Sequence, residues 1–221
     1  MALDSDRRRI ALRALAIGVS VAPFGLSFGA VAISGGFSVL QICVLSLVLF
    51  SGASQFALVS IAGGGGGLAS AVSTALLLGL RNGLYGARVN ALLRPRRWRR
   101  LLTAQVTIDE STAMAVSEND AELSRWAFWV TAASVYVFWN IATLAGALVG
   151  RGLGSPATIG LDAAGPAAFA ALLRPRLTHP RQLAVALTAA ALAIATSSFL
   201  PIGLPVIVGG LAALAVLLVR R

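Results

Sequence analysis

The chain has 221 residues, of which 57% are hydrophobic and only 12% charged, about half the charged fraction of an average soluble domain. A mean hydropathy of +0.85 with a net charge of +10 excludes an ordinary soluble fold. It also excludes a nucleic-acid-binding face, because the 18 basic residues are all arginines, set in short clusters between apolar stretches as membrane loops are marked.

In chain order, Arg7, Arg8 and Arg9 precede an apolar run over 10–33. That run exceeds the about 7–15 residues of a signal-peptide core, so it reads as a retained first helix. Inside it lies Pro23-Phe24-Gly25-Leu26-Ser27-Phe28-Gly29. Proline removes a backbone donor there and glycine loosens the helix, so a kink with freed carbonyls is expected, serving either a binding site or simple packing.

The second run, 37–62, contains Cys43, the lone cysteine, which excludes an intrachain disulfide. It also holds Gly52-Ala53-Ser54-Gln55-Phe56. A helix broken over Ser51–Ser54 would let Ser54 cap a second half-helix, whose free N–H groups suit a carboxylate. The competing reading is a small-residue helix contact, but a glutamine at that depth favours binding. The pentaglycine Gly63–Gly67 is the most flexible joint. A third run over 68–90 carries Arg81 and Tyr85-Gly86. An arginine within an apolar segment either faces a partner or a cavity, or snorkels to the surface.

Residues 94–125 hold Arg94, Arg96, Arg97, Arg99, Arg100 and five of the eight acids, including Asp109-Glu110-Ser111. They read as a polar cytoplasmic connector between a first half over 10–93 and a second half over 126–219 of one membrane domain. The second half offers runs over 126–149, 157–173, 183–199 and 203–219, with Asp162 and Gly165-Pro166 in the second of these. Asp162, Asp109 and Glu110 are the candidate proton carriers; solvated acids or a helix-terminal acid are the plainer readings. His179, the only histidine, reads as a loop residue. With one histidine and no nucleophile–base pair, the chain offers neither a catalytic centre nor a metal site, and no cofactor is expected.

Arginine positions set the orientation. Arg7, Arg8, Arg9 and Arg13 put the N-terminus in the cytoplasm. In the alternative reading 37–62 crosses fully, and the 94–100 cluster falls outside as an exposed basic loop. A broken, re-entrant 37–62, entering and leaving on the outer side, returns 94–125, Arg174–Arg181 and Arg220-Arg221 to the cytoplasm and leaves Arg151 outside. The expected fold is therefore an all-α polytopic membrane helix bundle in the lipid bilayer, with about six full spans plus the broken segment and both termini cytoplasmic.

The same motifs carry a resemblance. Pro23-Phe24-Gly25 with Phe28-Gly29, Gly52-Ala53-Ser54-Gln55-Phe56, Arg81 with Tyr85-Gly86, Asp109-Glu110-Ser111, and Leu161-Asp162 with Pro166 and Phe169 resemble the AzlC family, the large subunits of bacterial branched-chain amino acid exporters (the LIV-E class), across nearly the whole chain. Asn82, Ile108 and Ala163 depart from the family's pattern. The resemblance implies export of leucine, isoleucine and valine, with methionine as a further substrate, across the bacterial cytoplasmic membrane. It also implies coupling to the proton or membrane potential and a small hydrophobic AzlD-type partner subunit. On this expectation the substrate-binding residues are Pro23, Phe24, Gly25, Phe28, Gly52, Ser54, Gln55, Phe56 and Arg81. The substrate carboxylate would meet the half-helix at Ser54 and Arg81, and the ammonium would meet Gln55 and the carbonyls near Pro23. The rival reading is a passive channel or pore subunit.

Overall fold

The computed structural model describes residues 2–152, 170, 173–174 and 177–219. The expected 157–173 span falls almost wholly outside them, and Asp162 with it. The described residues are all-helical, without strands. In chain order they form α1 (Ala2–Ser34), α2 (Val39–Val48), α3 (Gly52–Gly63), α4 (Leu68–Leu93), α5 (Arg99–Gln105), α6 (Asp109–Val116), α7 (Ala121–Gly152), α8 (Pro180–Thr196) and α9 (Leu204–Val219). Among the described residues two stretches, Leu3–Ser34 and Ala121–Gly152, are long and apolar enough to cross a membrane, and α2, α3 and α8 are shorter apolar helices. Leucines such as Leu40, Leu80 and Leu84 are exposed on the outer surface, as expected of a helix bundle whose solvent is lipid.

The frame is a parallel pair, α1 beside α7. Their backbones approach through glycine: a Cβ on Gly25 would stand 2.8 Å from the Trp139 carbonyl oxygen, and one on Gly146 would press into the Leu26 carbonyl oxygen. Small residues are how helices come this close without a hydrophobic drive between them. Gly146→Val is therefore expected to destabilise the purified protein by about 1–3 kcal/mol, because the obstacle is backbone and cannot rotate away. A thermal melt in detergent checks this, and an unchanged midpoint would mean that the two helices are free to part. α1 runs unbroken through Pro23, which lies on its exposed face.

Between these helices the chain makes two helical hairpins from opposite ends of the bundle. The first is α2–α3. A reciprocal cap, in which Gln41 N–H donates to Ser38 Oγ and Ser38 N–H to Gln41 Oε1, starts α2. The helix stops at Leu49-Phe50-Ser51, and α3 carries the chain back until Gly63 lies against Gly35. The break begins two residues before the expected Ser51–Ser54 and shares Ser51 with it. Pentaglycine 63–67 forms an ordered turn, in which Gly66 N–H bonds Ile61 O and Gly65 has the positive φ of +84° that suits glycine.

The second hairpin is α5–α6. It lies within the 94–125 stretch expected to be a polar connector, and Thr103, Thr107, Ser111, Thr112 and Ala115 are buried in it. α5 is turned back alongside α4 through Arg94 and Arg97, both left-handed. α6 then returns to pack Ala115 with Val89, Leu93 and Phe128. Ser111 Oγ closes the break between the half-helices by accepting Ile108 N–H and donating to Val106 O.

The two ends of the bundle differ in charge. One gathers the start of α1, the end of α4 and the α6–α7 junction, joined by Arg7–Glu122 and by Arg9–Glu118 at 3.6 Å. The other gathers Gly35, Gly63, Ser70 and the α8–α9 turn, where Ser70 Oγ donates to Ile202 O at 2.8 Å.

Candidate functional site

The hairpin tips meet halfway along the bundle. Gln105 Nε2, at the end of α5, donates to Leu47 O and Val48 O at 2.9 Å each, and Tyr136 OH donates to Leu47 O at 3.1 Å. Gln55 Nε2 takes two more carbonyls of the same turn, Ser46 O at 3.3 Å and Leu49 O at 2.6 Å. Its Oε1 accepts Trp139 Nε1–H at 2.9 Å. A helix that ends inside the protein leaves its last carbonyls unsatisfied, and here side chains from α3, α5 and α7 take them up.

Beside this junction lies a cavity of about 400 Å³, a size typical of small-molecule sites. One tip contributes Phe50, Ser51, Gly52 and Ala53; the other contributes Ile108, Asp109 and Glu110. Val21 and Phe24 of α1, Phe56 of α3, Leu78 and Arg81 of α4, Val135 and Trp139 of α7, and Leu173 complete the described wall. Most of this wall is apolar, and its charges are concentrated in Arg81, Asp109 and Glu110.

The polar side is built from broken backbone. α3 starts at Gly52 with Ser51 at its N-cap and no side-chain cap, so its first N–H groups and the positive end of its dipole face the break. Ser51 Oγ and Arg81 Nε are buried without hydrogen-bond partners. Arg81 Nη1 lies 3.7 Å from Asp109 Oδ2. Asp109 and Glu110 form the first turn of α6, where the helix dipole favours acids. A buried orphaned donor is costly, so two of them beside an uncapped helix start are what an anionic group would satisfy. Among the described residues no cluster of His, Cys, Asp and Glu is suited to a metal ion.

Of the expected binding residues, the cavity brings together Phe24, Gly52, Phe56 and Arg81, joined by the proton-carrier candidates Asp109 and Glu110. Phe28 stands behind the wall, fully buried, edge-on to Phe56 at 5.6 Å and stacked on Trp139 at 6.5 Å. Gly25 packs on the Trp139 backbone. Pro23 is exposed and is not part of the lining. Ser54 does not cap α3: its hydroxyl donates to Ala75 O at 2.8 Å, which ties α3 to α4. Gln55 is fully buried and spends its amide on the break.

Sequence reasoning missed Ser51, one residue ahead of its motif, and Trp139, whose indole fixes Gln55. The available signal for Trp139 was an indole N–H deep in an apolar run, which requires a buried acceptor.

Comparison with known proteins gives the relatives. The family model described as AzlC protein matches residues 16–153. The inner membrane protein YgaZ of Escherichia coli (strain K12) is 31% identical over 144 residues, covering 63% of this chain and 59% of that protein. An uncharacterized membrane protein of Archaeoglobus fulgidus is 34% identical over 131 residues, covering 59% and 57%. The matched region thus spans less than two thirds of either relative. No solved structure matches the chain.

Proposed function

The chain belongs to the AzlC family, and on that premise we propose that it is the large subunit of an exporter of branched-chain amino acids, acting in the cytoplasmic membrane with a small AzlD-type partner. Members of the family are in general components of amino-acid exporters. In this reading the arginine-rich end faces the cytoplasm. α2–α3 dips into the bilayer from outside and α5–α6 from inside, with irregular backbone only where protein and cavity surround it. α1, α4, α7, α8 and α9 make five full spans of a single membrane domain, and the further span expected over 157–173 lies outside the described residues.

One observation carries the substrate assignment. The orphaned donors Ser51 Oγ–H and Arg81 Nε–H stand with the uncapped start of α3 in a mostly apolar cavity that also holds two carboxyls. A zwitterion with an apolar side chain matches all three features. Its carboxylate bonds Ser51, the α3 N-terminus and Arg81. Its ammonium lies toward Asp109 and Glu110, rather than toward Gln55, whose amide is engaged, or the carbonyls near Pro23, which belong to the unbroken helix α1. Its side chain meets Phe24, Phe56 and Trp139. The acid pair exceeds the one arginine by a negative charge, so Glu110 takes up and releases the coupling proton as the two halves rock about the site. Asp162 remains a second candidate carrier.

The test is efflux from cells loaded with leucine-, valine- or methionine-containing dipeptides. The chain is expressed alone or with its small partner, with and without an uncoupler. Faster, uncoupler-sensitive release of one amino acid is the expected result. Release that follows the gradient regardless of uncoupler would make the chain a channel, and no release in any combination despite confirmed insertion would sink the amino-acid reading. Glu110→Gln is expected to retain downhill release but lose its response to uncoupler. A variant as uncoupler-sensitive as the native chain would take the proton off Glu110.

A further inference from the structure

A second cavity, of about 320 Å³, lies between α4 and α5 at the arginine-rich end. Arg100, Asn90, Pro95, Thr103 and Thr107 line it. Arg94, Arg96, Arg97 and Arg99 crowd the same end, all exposed. Among the described residues, no ion pair joins any of these five arginines to an acid. Exposed Trp98, Leu101 and Leu102 alternate with them, and exposed Leu80 and Leu84 run down the neighbouring α4.

We propose that this groove binds one anionic phospholipid whose headgroup carries free hydroxyls, of the phosphatidylglycerol type. The Arg100 Nε donates to Pro95 O at 3.1 Å, which fixes the guanidinium at the wall and leaves its terminal N–H groups for a phosphodiester oxygen. Thr103 and Thr107 commit their protons to Arg99 O and Thr103 O. Their hydroxyl oxygens remain acceptors, which a glycerol headgroup satisfies and a choline headgroup does not. Trp98 and the exposed leucines give the acyl chains an apolar course at the lipid–water boundary. The groove runs along α5 to Thr107, two residues before Asp109, so a lipid seated in it would brace the second hairpin against α4.

The experiment is native mass spectrometry of the full chain released from a neutral detergent. Phosphatidylglycerol, phosphatidylcholine, or soluble glycerol 3-phosphate is added at matched concentration. One phosphatidylglycerol per chain, retained at least tenfold better than phosphatidylcholine, is expected. Arg100→Gln should lower that retention about fivefold, whereas Arg13→Gln, at an exposed arginine of α1, should leave it unchanged. Asn90→Ala, at an exposed position, repeats the test if Arg100→Gln is not recovered. Equal retention of the two lipids, or equal losses from Arg13→Gln and Arg100→Gln, would reduce the effect to general surface charge and overturn the proposal. Displacement of the lipid by glycerol 3-phosphate would make the groove a site for a soluble phosphate instead, and would also overturn it.

Discussion

Arg81→Gln should reduce amino-acid efflux by one to two orders of magnitude while leaving the amount of protein in the membrane unchanged. The size follows from what the side chain supplies. A charge-assisted bond to a carboxylate is worth about 1.5–3 kcal/mol, and each 1.4 kcal/mol is tenfold in affinity. Insertion should not suffer, because an arginine inside an apolar segment costs about 2.5–3.5 kcal/mol on insertion scales and its removal relieves that cost. Arg81→Lys should fall between, since a point charge lacks the two-pronged geometry that pairs with a carboxylate. Asp109→Asn separates two roles for Arg81. If the arginine serves only to neutralise Asp109, from which it stands 3.7 Å, Arg81→Gln/Asp109→Asn should restore efflux. If Arg81 binds substrate, the double variant stays inactive. Efflux at the native rate in Arg81→Gln, at equal protein in the membrane, would remove the site.

Why the sequence led to this cavity and not to all of its parts is a matter of length and direction. Runs over 10–33, 68–90 and 126–149 are long enough to declare themselves, and they reappear within α1, α4 and α7, of which α1 starts eight residues earlier and the other ends move by five residues or fewer. The break in 37–62 was legible because Gly52 stands mid-run, and because a full crossing would leave five arginines on the wrong side. α5–α6 was not legible. Its half-helices have seven and eight residues, far short of the about 20 that mark a span, and they begin with Arg99-Arg100 and Asp109-Glu110. Its membership of the core depends on buried hydroxyls, such as Thr103 and Thr107, bonding the carbonyl four residues back. That pattern reads equally well as an exposed polar helix. The whole acidic side of the cavity was therefore assigned to a connector, although Asp109 and Glu110 themselves were picked out.

Direction explains the fate of Gln55. A glutamine at depth needs partners, and substrate is one class of partner, but the sequence cannot tell which side of a helix faces a cavity. Ser51 and Gly52 line the site and Gln55 does not; its bonds run to Ser46 O, Leu49 O and Trp139. Gln55→Ala is therefore expected to act on stability. Loss of the amide strands the Ser46 carbonyl and an indole N–H, leaves Leu49 O with Ser51 N–H alone, and opens a void beside the buried Ser54 and Phe56. Measured hydrogen bonds inside membrane proteins average only about 0.6 kcal/mol each, so three of them contribute about 2 kcal/mol and the void adds to it. Gln55→Ala should thus lower the thermal midpoint in detergent clearly, by about 3–4 kcal/mol of stability, and lose transport through collapse of the break. Gln55→Glu tests the geometry differently: it can still accept from Trp139 but cannot donate to both carbonyls, so it should recover only part of the loss. A Gln55→Ala protein as stable as the native chain yet unable to export would return this residue to the substrate, and the ammonium site would then lie across the break from the acids.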